Sequence, residues 1–303
     1  MIRLIYTELV KIFKKTSFKI LILIILISSF LTCFISYRKV NDKYIQYPMM
    51  KTNEKYINLI TDYNELASNL NKINSKSNIK LNKIMDNGVT LLIFSSIIMI
   101  IISSSILGNE INKKSIKELL IKPYKRSKIL ISKYLTTYVI IFLLTLLIFI
   151  SYILFTYILT KINIFTLKDY MLLNNNIISV LYFVKYLVEY LINSIPIYFL
   201  STLTLFLTTF IKNQKIIIPI NSVLFIMSPV IFNFFLNIKF KYIIYTFIPY
   251  LDFSIFKDIY SIYLLNIEHS MNFNRLFGII ILIFYSLFFI MISIKIFNKK
   301  DFY

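Results

Sequence analysis

Few residues in this chain have the type and spacing that chemistry requires. The single histidine, His269, stands beside Glu268. A lone histidine in a loop is more often a surface side chain than a metal ligand or a general base, and it reads as one here. No H-E-x-x-H or G-x-S-x-G pattern occurs. The three glycines, Gly88, Gly108 and Gly278, are too scattered for a G-x-x-x-x-G-K phosphate loop, which excludes ATP binding of that kind by this chain. The only cysteine, Cys33, excludes an intramolecular disulfide and a cysteine-based zinc site. No catalytic residue, metal ligand or cofactor site is therefore assigned. Lys185 and Glu189 stand four apart, on one face of a helix if they are helical. Inside a bilayer such a pair marks a pathway, and at its edge the same residues are anchors. The edge is the expected place.

Charged and apolar residues alternate most densely in Gly108–Lys133. Asn109 can cap a helix whose first turn carries Glu110, a favourable charge at the positive end of the helix dipole. Ile111, Ser115, Ile116, Leu119 and Leu120 then share one side, and Lys113, Lys114 and Lys117 the other. Pro123 ends the helix, because its ring clashes with a continuing helical backbone. The expected product is a short amphipathic helix. Two surfaces could receive it: another protein, or anionic lipid at the membrane surface, which by itself would account for the lysines.

The elements that position these residues are apolar spans. Of 303 residues 58% are hydrophobic and only 16% charged, a balance unlike that of soluble domains. A formal charge of +20 raises the question of nucleic acid, but the basic residues lie between apolar runs and not as a patch on a soluble surface, so no nucleic-acid partner is expected. Six uncharged runs stand out: 20–37, 87–109, 134–160, 190–211, 216–238 and 276–294. A helix needs about 20 apolar residues to cross the hydrocarbon core, and the ten-residue alternation of a membrane barrel is absent. The chain is thus expected to be an all-α, polytopic membrane protein with six transmembrane helices in one transmembrane domain spanning 1–303.

Six crossings put both termini on one side. If that side is cytoplasmic, the inner segments hold 18 of the 34 Lys and Arg, while the outer segments hold ten of the fourteen acids and are roughly twice as long. The positive-inside rule then favours cytoplasmic termini in a cell membrane. The first run exceeds a usual signal-peptide core and no small-residue cleavage site follows it, so it is expected to remain as an uncleaved helix.

Other segments complete the layout. Residues 1–17 space Ile2, Ile5, Tyr6, Leu9, Ile12 and Phe13 as an apolar stripe, with Arg3, Thr7, Lys11, Lys14 and Lys15 elsewhere, which predicts an interfacial helix in contact with membrane lipid. The outer loop 38–86 carries Tyr56, Leu59, Tyr63, Leu66, Leu70 and Ile73 at spacings of three and four, a helical face expected to pack on its own hairpin partner. Tyr170–Val184 suggests an outward extension of the fourth helix or an interfacial helix before it. Tyr242–Leu251 and Ile259–Ile267 are too short to cross and suggest interfacial or re-entrant pieces broken at Pro249.

The loop 110–133 resembles the first cytoplasmic loop of membrane subunits of type-2 ABC exporters. That family has a Glu after the second crossing, a Thr/Ser-Ile/Leu-x-x-Leu-Leu helix, a Pro, an Arg three residues on, and a Lys entering the third crossing. The corresponding residues are Glu110, Ser115-Ile116, Leu119-Leu120, Pro123, Arg126 and Lys133. The chain departs from the pattern at Lys114, where the family has glycine, and in its longer outer loop. The resemblance implies an ABC permease that forms a translocation path. Its coupling helix would enter a groove on a separate cytoplasmic ATPase subunit, which binds ATP and Mg. A second permease chain, identical or homologous, would complete the path. Ile116, Leu119 and Leu120 would be apolar anchors before Pro123, with Glu110 and Arg126 fixing orientation. The alternatives are a structural or channel subunit without an ATPase and, with no converging polar groups to support it, an intramembrane enzyme.

Overall fold

In a computed structural model the described residues are 2–42, 76–112, 124–162, 164–165, 167–173, 176–211, 213–256 and 273–299. Their helices are α1 (Ile2–Lys14), α2 (Thr16–Asp42), α3 (Lys76–Asn112), α4 (Arg126–Thr160), α5 (Tyr182–Asn193), α6 (Ile195–Phe210), α7 (Gln214–Asn237) and α8 (Arg275–Lys299). Six spans are long and apolar enough to cross a membrane: Thr16–Lys39, Leu81–Ile111, Arg126–Thr160, Tyr182–Phe210, Lys215–Asn237 and Arg275–Lys299. The polytopic, mainly helical architecture is as the apolar runs imply. Backbone polar groups in lipid must pair within their own segment, and helices meet that requirement.

The helices exceed the uncharged runs at several ends. α3 begins at Lys76 and α4 at Arg126, so these helices reach into the segments 38–86 and 110–133. Charges end an uncharged run without ending a helix, since Lys and Arg are good helix formers. The fourth span is two helices meeting at Ser194. Pro196 lacks the N–H that would bond the Ile192 carbonyl, while the Ser194 carbonyl accepts from Ile197 N–H at 2.9 Å and restarts the helix.

The stretch Tyr170–Val184 is corrected: it is not a helical extension over its whole length. Strands β1 (Lys168–Leu173) and β2 (Asn176–Leu181) pair antiparallel, with Lys168 opposite Leu181, and α5 starts only at Tyr182. Ile177, Ile178 and Val180 are β-branched and suit a strand. The region after α7 is a series of 3₁₀ turns, Lys241–Tyr245, Ile248–Leu251 and Phe253–Phe256, too short to cross, as expected of the piece broken at Pro249. The heptad-like face at 56–73, the piece 259–267 and the pair Glu268 and His269 lie outside the described residues.

The chain divides into two units. The first comprises Met1–Leu23, Leu92–Leu146 and Ile192–Tyr303, the second Ile24–Leu91 and Leu147–Leu191. In the first, α6 packs on α7 and α8. Phe199, Leu200, Phe232, Tyr250, Phe256 and Leu282 lie together in one core cluster. Tyr250 sits in a notch that only glycine leaves open, since a Cβ on Gly278 would stand 2.3 Å from its ring. Serine and threonine are tolerated in these apolar helices because their hydroxyls return bonds to carbonyls three or four residues back, as Ser103 does to Met99 at 2.7 Å and Thr204 to Leu200 at 2.7 Å. Asn221 of α7 donates to the Leu200 carbonyl at 3.0 Å and ties α7 to α6. In α7, Pro229 frees the Phe225 carbonyl, and the Ser228 hydroxyl takes it at 2.7 Å.

In the second unit the helices are joined by side-chain hydrogen bonds. Thr32 pairs with Tyr152. Asn87 donates to Ser36 at 2.8 Å, and the Tyr186 hydroxyl donates to Asp86 at 3.0 Å. The buried Cys33 thiol lies 3.8 Å from the Thr156 hydroxyl. Gly88 faces Tyr190 and Tyr152, and a Cβ there would overlap both.

Candidate functional site

Four ionisable side chains converge in the first unit. Lys133, in the third turn of α4, is 1% exposed and projects its ammonium onto Glu110, near the end of α3, at 2.5 Å. The same ammonium lies 3.7 Å from Glu8 of α1 and 3.4 Å from the Ile106 carbonyl. Lys11, one turn after Glu8, completes the cluster at 3.1 Å from Glu8 and 3.4 Å from Glu110. Two carboxylates and two ammoniums are thus balanced in charge, and each acid meets both bases. A buried ion is tolerable only under those conditions, because its lost hydration is large and must be replaced by charge and hydrogen bonds.

Local sequence accounts for the inward turn of Glu8. In α1 the buried residues are Glu8 and Ile12, four apart and so on one face. Burial pushes Lys11 down, but the carboxylates of Glu8 and Glu110 outweigh it and hold the ammonium above its ordinary value of 10.5. An apolar cluster borders the ions: Leu107, Leu130, Tyr134, Leu205 and Phe297 are buried together, with Ile111, Ile290 and Ile294 against them. There the Tyr134 and Ser293 hydroxyls share a hydrogen bond of 2.9 Å, linking α4 to α8.

Glu110 and Arg126 flank residues 113–123. Glu110 is held by the ion cluster. Arg126 donates to the Asn298 carbonyl of α8 at 3.3 Å. The described residues on either side of 113–123 are therefore each fastened to helices of the unit. Glu110 and Arg126 do not meet each other but reach different helices. Ile116, Leu119, Leu120 and Pro123 lie outside the described residues. Lys185 and Glu189 share one face of α5, both half-buried near the start of the fourth span, and the Lys185 ammonium lies 5.1 Å from the centre of the Tyr186 ring.

Glu8 was not anticipated from the sequence, although a signal existed. It occurs at i+3 from Ile5 and i−4 from Ile12, within the apolar stripe, and an acid so placed needs a buried base.

Six membrane-length apolar helices make this chain a multi-pass membrane protein, and the ion cluster around the buried Lys133 joins four charged side chains among its described residues. It belongs to the DUF2705 family, described as proteins of unknown function, whose family model matches residues 45–303. Searches of curated proteins and of solved structures found no match.

Proposed function

We propose that the chain is the membrane-spanning permease subunit of an ATP-binding cassette exporter, driven by a separate ATPase subunit. One observation supports the reading: the residues flanking 113–123 are fastened inside the first unit, through Glu110 to Lys133 and α1, and through Arg126 to α8. A loop that receives force from a partner must pass it to the helices, and ion pairs together with a guanidinium hydrogen bond to a backbone carbonyl form such a connection. In this reading Ile116, Leu119 and Leu120 enter the ATPase groove, and Pro123 ends the helix. ATP and Mg reside on the partner, and a second permease chain completes the path. The termini and the loop face the cytoplasm of a cell membrane.

Affinity purification of the detergent-solubilised full chain tests the proposal. A roughly stoichiometric ATP-binding partner is expected, and Leu119→Asp combined with Leu120→Asp is expected to abolish its recovery while membrane insertion is retained. Repeated absence of such a partner overturns the proposal in favour of a channel or structural subunit.

A further inference from the structure

The outward face of α1 carries two parallel stripes. Ile2, Tyr6 and Phe13 stand at spacings of four and seven and are exposed, Ile2 to 84% and Tyr6 to 66%. One residue further along, Arg3, Thr7 and Lys14 repeat those spacings and are exposed as well. Glu8, the only acid between residues 2 and 23, is turned inward and is 7% exposed. Lys11 is engaged by Glu8 and Glu110, so the outward charge rests on Arg3 and Lys14, continued by the exposed Lys15 and Lys19. Lys15 alone separates α1 from the first span, Thr16–Lys39. A helix on so short a tether stays at the bilayer boundary.

We infer that this face of α1 binds anionic phospholipid headgroups in preference to zwitterionic ones. Ile2, Tyr6 and Phe13 enter the acyl boundary while Arg3 and Lys14 contact headgroup phosphates. Charge complementarity selects the occupant, because the outward face carries positive charge only and lies where phosphates are densest. The inference goes beyond an interfacial location, which any apolar stripe would give, and it does not depend on the permease reading.

The chain contains no tryptophan, so Tyr6→Trp introduces a single fluorophore on the face in question. The full chain carrying it is reconstituted in bilayers mixing phosphatidylcholine with phosphatidylglycerol, and brominated forms of each lipid quench it in turn. Quenching is expected to report a relative binding constant above one for phosphatidylglycerol. That preference is expected to fall by roughly fivefold per charge removed in Arg3→Gln and Lys14→Gln, from about 1 kcal/mol for each basic residue at an anionic surface. A melting curve like the parent's excludes misfolding of the variants. Equal quenching by both lipids, a preference indifferent to the two substitutions, or no quenching by either lipid would each overturn the inference.

Discussion

The two units hold their helices together with different polar chemistry. In the first, one ammonium, that of Lys133, holds two carboxylates carried by α1 and α3. In the second the polar links are spread over separate pairs: Thr32 with Tyr152, Asn87 with Ser36, and Tyr186 with Asn82 and Asp86. A concentrated ionic site is strong while intact and costly when one member is lost, because the remaining charges have been removed from water. A distributed set of hydrogen bonds loses little at each deletion, as interhelical bonds in membranes average well under 1 kcal/mol. The first arrangement therefore concentrates the cost of a substitution at single residues, and the second spreads it.

Removing Lys133 gives the largest expected effect. Lys133→Met takes from Glu110 its nearest base and leaves the buried Glu8 to Lys11 alone, at a cost of about 3–5 kcal/mol, visible as a large fall in melting temperature in detergent. Adding Glu8→Gln and Glu110→Gln to that variant is expected to restore much of the loss, since neutral amides carry no ionic desolvation penalty. No recovery in the triple variant would show that Lys133 acts by packing alone. In the second unit Tyr152→Phe removes the bond to Thr32 and is expected to cost about 0.5–1 kcal/mol. If the two single substitutions proved equally destabilising, the contrast between concentrated and distributed polar links would fail.

The second unit should be more sensitive to shape than to polarity. Gly88→Ala places a Cβ 1.8 Å from the Tyr190 hydroxyl and 2.7 Å from the Tyr152 ring, overpacking expected to cost about 1–3 kcal/mol. Tyr190→Phe on that background removes the nearest clashing atom and is expected to recover part of the loss, measured by the same melting curves. A fully tolerated Gly88→Ala would mean that the rings move apart freely there.

Much of this architecture was legible because lipid restricts the choices. Long uncharged runs leave helices as the available structure, and all six spans follow from them. Helix starts were less legible, since α3 and α4 begin at Lys76 and Arg126, ahead of the uncharged runs at 87 and 134. The hairpin Lys168–Leu181 escaped notice because apolar residues over so short a stretch suit a strand or a helix equally well. Within the site, Glu110 and Lys133 could be singled out as termini of a patterned loop. Glu8 could not be matched to its base, because pairing across more than a hundred residues depends on how α1 folds back, which no local spacing encodes.

The smallest expected effect concerns Lys11, the exposed member of the ion cluster. Its partners raise its folded value above 10.5. A base so raised contributes stability in full below its unfolded value and loses it as pH rises through the folded one. The difference in melting temperature between the parent and Lys11→Gln is therefore expected to stay level from about pH 6 to 9 and to shrink only above the ordinary lysine range near 10.4. It should also shrink with added salt, because Lys11 faces water and its pairing is screened. Lys133 is buried, so the loss from Lys133→Met should change little with salt. Equal salt dependence for the two lysines would show that the cluster is open to water throughout, and that the concentrated ionic joint is weaker than its geometry implies.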